Sequence, residues 1–418
     1  LRGNMEASEF KNYILGLIFY RYLSENVENR AKKLLEEDNM SYEEAWRDEE
    51  YKEALQEELV NDIGYFIEPK YLFSKLLKLI ETNNFDIEIL ECAINNITES
   101  TLGHESEEEF DHLFDDMDLK STKLGKDVKS RSALIAKVMG NIASIDFSFD
   151  DSEIDILGDA YEYLIGQFAA NAGKKAGEFY TPRALTDFMA EIINPKVGEK
   201  MADFACGTGG FITSWLKALD KKVQTAEDKE EYAKSIYGIE KKQFPYMLCV
   251  TNMLLHDIDS PKVMHDNSLT KDVLNYTDED KFDVVLMNPP YGGSEKNDIK
   301  QHFPSDLSSS ETADLFMVLI MYRLAEKGRA AVILPDGFLF GTDNAKLAIK
   351  EKLLREFNLH TIIRLPGSIF SPYTSIATNV LFFNNEKADG AEEGFSTKET
   401  WFYRLDMPEG YKHFSKTK

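Results

Sequence analysis

Hydrophobic spacing changes character near residue 150. Before it, apolar positions recur at helical intervals; after it, short β-branched runs alternate with helical stretches. Residues 8–24 set Phe10, Tyr13, Ile14, Leu17 and Ile18 on one face, followed by Arg21, with polar residues opposite. Residues 33–35, 51–59, 71–80 and 87–97 keep this style. They are rich in Glu and Lys and poor in β-branched clusters, which predicts a mostly helical domain over 1–148. The acidic run 105–118 reads as a solvated loop or helix face rather than a binding tail. Residues 153–168 form a further amphipathic helix, and 170–177 a flexible linker. Thr181 as N-cap and Pro182 at the first helical position then open a helix carrying Leu185, Phe188, Met189, Ile192 and Ile193.

From Met201 onward strands are expected at 201–205, 236–240, 283–287, 330–334, 361–365 and 379–383. Helices are expected after Gly210 and over 247–255, 312–326 and 344–357. That rhythm predicts an α/β domain over 149–418, built on a parallel or mixed sheet with covered faces. No internal repeat or low-complexity segment interrupts it.

Candidate chemistry concentrates at the end of one strand. Asp283 to Met287 is a buried-type run, and Asn288-Pro-Pro-Tyr291 stops it, because proline cannot continue a ladder. The side-chain carbonyl of Asn288 and the backbone carbonyl of Pro289 suit an exocyclic amine on a nucleobase. By accepting its hydrogens they localise its lone pair toward an incoming methyl group. Pro290 stiffens the loop, and Tyr291 offers a face for a flipped-out base. A Pro-Pro turn with a capping Asn and a surface Tyr accounts for the same residues structurally.

A second constellation, Asp203-Phe-Ala-Cys-Gly-Thr-Gly-Gly210, ends the first strand of the sheet and opens a helix, so its backbone amides can approach a ligand. Ile212 stands where a dinucleotide fingerprint needs glycine, which disfavours a dehydrogenase. Glu240 closes the next strand, the place for a carboxylate on ribose hydroxyls. A glycine loop and a ribose carboxylate without a pyrophosphate cradle point to S-adenosylmethionine. Asp266 is placed to accept from an adenine amine or to make an Asx-turn. The aromatics ahead of the helix at 183 suit the lid or floor of an adenosine, or core anchors. Cys206 reads as turn filler, since direct transfer to an amine needs no covalent intermediate. His256 and His265 read as structural.

Charge changes the picture of partners. Forty-eight basic against 74 acidic residues leave a formal charge of -26, which repels a polyanion, so a partner is expected to hold any nucleic acid. Cys92, Cys206 and Cys249 follow neither zinc nor disulfide spacing, no metal site is visible, and a reducing cytoplasm is the default compartment. Residues 13–20 are too short an apolar stretch for a bilayer, and no signal peptide is seen. The natural protein is expected to extend beyond both ends.

Gly177-Glu-Phe-Tyr-Thr-Pro182, Ala205-Cys-Gly-Thr-Gly-Gly-Phe211 and Asn288-Pro-Pro-Tyr291, in that order, resemble the modification subunit of type I restriction-modification systems. Leu1-Arg-Gly-Asn-Met5, Tyr13-Ile-Leu-Gly-Leu-Ile-Phe-Tyr20, Val332-Ile-Leu-Pro-Asp-Gly337 and Thr374-Ser-Ile-Ala-Thr378 extend the likeness. The resemblance implies a helical domain followed by a Rossmann-like S-adenosylmethionine-dependent methyltransferase domain with a mostly parallel sheet. It also implies N6-adenine DNA methylation by two modification subunits on one specificity subunit, joined by a restriction subunit for cleavage. The implied cofactor residues are Glu178, Phe179, Tyr180, Thr181, Pro182, Arg183, Thr208, Gly209, Gly210 and Glu240, to which the strand-end reading adds Asp203, Ala205, Gly207 and Asp266. Asn288, Pro289, Pro290 and Tyr291 would meet the target base. Phe204 departs from the family's proline. Members also carry a C-terminal helical region that docks on the specificity subunit, of which little is present here. Cytosine N4 suits the Asn-Pro-Pro-Tyr loop as well as adenine N6, and a catalytically silent S-adenosylmethionine-binding scaffold is the reading from another class.

Overall fold

A 28-residue helix, Ala7–Leu34, is enclosed on every side from Leu15 to Ser24, Arg21 and Ser24 included. The single apolar face expected from Phe10, Tyr13, Ile14, Leu17 and Ile18 is therefore not what the fold buries, and Ile14 is only half-buried. The computed structural model describes residues 7–104, 107–110, 113–115, 117–144, 180–254, 256, 258, 261–370, 374–407 and 409. The expected boundary at 148, the helix over 153–168, the linker at 170–177 and the candidates Glu178 and Phe179 lie outside them, as do residues 1–5 and parts of the acidic run.

Helices Glu49–Ile63, Phe73–Glu81, Ile87–Ser100 and Val128–Ala143 accompany the long one. Asp48, Asp86 and Asp127 each accept a first-turn backbone N–H, which satisfies donors the helix itself cannot. The stretch read as 71–80 is split between a 3₁₀ turn at Pro69–Tyr71 and the helix that starts at Phe73. Arg21 is buried because it has work on both sides. Its guanidinium donates to the Glu25 carboxylate at 2.6 Å and to the Ile142 carbonyl at 2.6 Å, the latter at the carbonyl end of Val128–Ala143.

The chain divides into two units: Leu1–Glu162 with Met253–Ser260, and Tyr163–Asn252 with Pro261–Lys418. The second holds an eight-stranded sheet in the order β3-β2-β1-β4-β5-β7-β6-β8. Its strands are β1 Met201–Asp203, β2 Ile236–Glu240, β3 Val263–His265, β4 Phe282–Met287, β5 Leu324–Pro335, β6 Asn358–Arg364, β7 Thr378–Asn384 and β8 Trp401–Arg404. Only β7 runs antiparallel to its neighbours β5 and β6, so the sheet is mixed and mostly parallel. From β1 the chain winds outward through β2 and β3, then returns to place β4 on the other side of β1. The reversal opens a crevice at the carboxyl ends of β1 and β4, the place where such sheets bind ligands.

Burial matches the residue types. Val284, Val285, Leu286 and Met287 are fully enclosed, as expected for a strand covered on both faces. Helix Thr312–Arg323 buries eleven of its twelve residues and is apolar nearly all round. It stops at Arg323 rather than at the expected 326, because Leu324 is already extended and opens β5 opposite Phe282 of β4. The Asn385 amide then donates to the carbonyls of Leu324 and Ala325 at 3.0 Å each. Among the described residues no helix is long and apolar enough to cross a membrane, and no group of three or more His, Cys, Asp or Glu could hold a metal ion.

Candidate active site

The turn after β1 is shaped by its glycines. Gly207 at φ 56° and Gly209 at φ 81° adopt left-handed backbone that a side chain would strain, and Gly209 caps helix Gly210–Asp220. A Cβ on Gly210 would lie 1.6 Å from Nη1 of Arg183. Its absence lets the guanidinium rest at the helix N-terminus, donating to Thr208 Oγ1 at 3.1 Å and lying 5.1 Å from the Tyr180 ring centre. Asn252 fixes the same turn by donating to the Thr208 carbonyl at 3.1 Å.

Glu240, at the end of β2, is buried and accepts the Gly207 N–H at 2.9 Å on one oxygen and the Lys242 N–H at 2.8 Å on the other. Burial raises its pKa above the usual carboxylate range against those two bonds. Asp203 accepts the Ala205 N–H at 3.1 Å, which bends the chain and ends β1 two residues short of the expected 205. Burial pushes its carboxyl up to about 8, the Ala205 bond opposing and the Glu240 charge adding. The folded chain therefore keeps a proton that the unfolded chain loses near pH 4. The stability this gives is complete below that value and is lost as pH rises through about 8. Asp203→Asn is expected to flatten that decline, measured as melting temperature at pH 6 and pH 9; a variant whose melting tracks the wild type at both would contradict the assignment.

Phe204, where the resemblance expects proline, is buried edge-on to Tyr237 and Phe282. The Arg323 guanidinium lies 4.9 Å from its ring centre. Packing, instead of a pyrrolidine, stiffens the turn here. Cys206 is held as a thiol by the neighbouring Cys249 and by burial, which agrees with a residue that fills the turn rather than attacks.

Beyond β4, the Asn288 amide donates to Thr181 Oγ1 at 3.0 Å, and the Tyr291 hydroxyl donates to Asn288 Oδ1. Thr181 is thus not the N-cap the sequence suggested. Pro182 takes that position, its carbonyl accepting the N–H groups of Leu185 and Thr186, while the Thr181 side chain orients Asn288. Asp266 directly follows β3 and accepts the Asn267 N–H at 2.6 Å.

One cleft gathers most of these groups. It encloses about 880 Å³ of non-atom space, part of it open to solvent. Its walls include Thr181, Arg183, Asp203, Ala205, Gly207, Thr208, Gly210, Glu240, Asp266, Asn288 and Pro290. Tyr180, Pro182, Gly209, Pro289 and Tyr291 are not among its lining residues, although Tyr180 lies against Arg183 and Tyr291 reaches Asn288. The sequence reading missed Lys241, Lys242, Asn267, Ser268, Glu295, Thr312 and Phe316. The first four are neighbours of Glu240 and Asp266 and were within reach of a wider window. Glu295, Thr312 and Phe316 come from beyond a Gly-Gly pair, and no local signal marks them.

The sequence profile described as N-6 DNA Methylase matches residues 152–418, and that of the HsdM N-terminal domain matches residues 1–142. The type I restriction enzyme EcoEI methylase subunit of Escherichia coli is 48% identical over 68% of this chain, which spans 56% of that subunit's length. The MpnII methylase subunit of Mycoplasma pneumoniae is 34% identical over 93% of this chain and 75% of its own. A crystal structure of the type I restriction-modification methyltransferase subunit from Streptococcus thermophilus superposes with TM-score 0.79 at 28% identity, covering 100% of this chain and 88% of that one. With profiles matched on both sides of residue 150 and relatives at this identity, the chain belongs to the N-6 DNA methylase family, among the methylase subunits of type I restriction enzymes.

Proposed function

We propose that the chain transfers the methyl group of S-adenosylmethionine to N6 of adenine in DNA. It would do so as part of an assembly with a specificity subunit that selects the site, a second copy of itself and, in the complete enzyme, a restriction subunit. The observation that carries this reading is the shared cleft: the glycine turn after β1 and the Asn288 loop after β4 leave neighbouring parallel strands and face one space.

When bound, S-adenosylmethionine supplies a methyl group made electrophilic by its sulfonium. The cleft fits such a ligand on its own evidence. Gly207, Gly209 and Gly210 leave Thr208 as the one side chain of the turn, and buried Asp203 and Glu240 bring carboxyl oxygens to the same wall. Glu240 is held by two backbone N–H groups, each oxygen keeping a lone pair for a ribose hydroxyl. Arg183, at a helix N-terminus, suits the carboxylate end. Asn288 is oriented by Thr181, so its Oδ1 and the Pro289 carbonyl can accept from the adenine amine. The amine would replace the Tyr291 hydroxyl on Oδ1, releasing the ring to stack on the base. A formal charge of -26 leaves DNA capture to the specificity subunit.

The test is mass spectrometry of nucleosides from DNA incubated with labelled S-adenosylmethionine, this protein and its specificity subunit. N6-methyladenine is the expected product, with little formed when the specificity subunit is omitted. N4-methylcytosine would reassign the base, and cofactor binding without transfer would reduce the chain to a scaffold.

A further inference from the structure

We propose that Lys346 is a positioning residue of the methyl-transfer site, clamping the segment that gives the loop after Tyr291 its shape; the proposal rests on the function argued above. Gly292, at φ 69°, and Gly293 follow Tyr291 and give the backbone little stiffness of its own. Order comes from residues 309–312. The Thr312 N–H donates to the Gly293 carbonyl at 3.1 Å, and the Glu295 N–H to the Ser310 carbonyl at 3.4 Å. Ser294 and Glu311 form an antiparallel bridge, and the Thr312 hydroxyl donates to Glu295 Oε1 at 3.3 Å. A Cβ on Gly293 would lie 2.7 Å from Thr312 Oγ1, so the close approach requires glycine. Glu295 and Thr312 line the cleft with Asn288 and Pro290.

The supporting segment opens helix Thr312–Arg323 without a side-chain N-cap. Lys346, on helix Asn344–Glu356, holds it instead. Its side chain is 4% exposed, and the ammonium lies 2.8 Å from Glu311 Oε1, 2.9 Å from Asp314 Oδ2 and 3.4 Å from Asp343 Oδ2. Ser309 completes the knot, donating to Asp314 Oδ2 at 2.6 Å and accepting the Glu311 N–H at 3.1 Å. Gly341 leaves room for the lysine stem, since a Cβ there would lie 2.3 Å from Lys346 Cδ. A buried ammonium is retained only where its partners hold it, and an apolar residue would pack such a position as well. Lys346 therefore serves the segment it grips from both sides, at Glu311 and at Asp314.

Lys346→Met alone leaves Asp314 buried without its cation and can unfold the region, so it is paired with Asp314→Asn. The double variant, assembled with the specificity subunit, is compared with wild type in steady-state methylation, cofactor binding and 2-aminopurine fluorescence at the target base. The expected result is a kcat lower by about tenfold or more, a weaker flipped-base signal and a cofactor dissociation constant within about twofold, the split that a misplaced loop predicts. Wild-type kcat in the folded double variant overturns the proposal, and so does loss of cofactor binding in step with kcat. If the wild type itself transfers no methyl group, the functional reading fails, and hydrogen exchange then decides on the clamp. Amides of 293–295 that lose protection in the variant support it, and unchanged protection rejects it.

Discussion

Asn288→Ala is expected to lower the methyl-transfer rate by about 10²–10³-fold, the usual effect of removing one preorganised polar group that acts on the transition state. The structure explains why no neighbour can replace it. Thr181 fixes the amide from one side and Tyr291 contacts Oδ1 from the other, so the carbonyl oxygen is held at one place, and alanine leaves both hydroxyls without that partner. Cofactor affinity should change by less than about threefold, because the contacts expected to hold the cofactor come from the ends of β1 and β2 and from the segment around Arg183. Single-turnover transfer and calorimetric cofactor binding on one preparation measure both quantities. Transfer within tenfold of wild type would remove Asn288 from the catalytic role.

Much of the site was legible because its chemistry is local. A β-branched run cut off by two prolines can end only as a strand followed by a stiff loop, and β4 with Asn288 is that strand. A glycine turn between a strand and a helix is equally local, and Gly207 and Gly209 hold the left-handed angles such a turn demands. Boundaries failed where a distant part of the chain intervened. Pairing of Leu324 with Phe282 of β4 takes the chain out of the helix after Arg323, and Asn288 draws Thr181 out of its capping role across 107 residues. The pairing of β7 between β5 and β6 also has no signature in any single strand. β8 was not read at all: Trp401–Arg404 is four residues long and exposed throughout, without the apolar alternation that marks a half-buried strand. The same limit hid Glu295 and Thr312, which reach the cleft only through the Ser294–Glu311 bridge.

Glu240→Ala is expected to raise the dissociation constant for S-adenosylmethionine by about 10²-fold or more. Two hydrogen bonds from ribose hydroxyls to a carboxylate, at about 1.5–3 kcal/mol each, account for that size. A second loss adds to it. The Gly207 and Lys242 N–H groups now end on the two Glu240 oxygens, so alanine also frees the glycine turn from the end of β2. Glu240→Gln should be nearly as damaging, because an amide presents only one acceptor and would turn its NH₂ toward one of those two backbone donors. Glutamine would therefore separate geometry from charge: if charge alone mattered, raising the pH would leave the Gln variant flat while its affinity stayed near that of the protonated wild type. Calorimetric titration of the wild type and both variants gives the comparison directly. Binding by Glu240→Ala at wild-type strength would place the ribose elsewhere in the cleft.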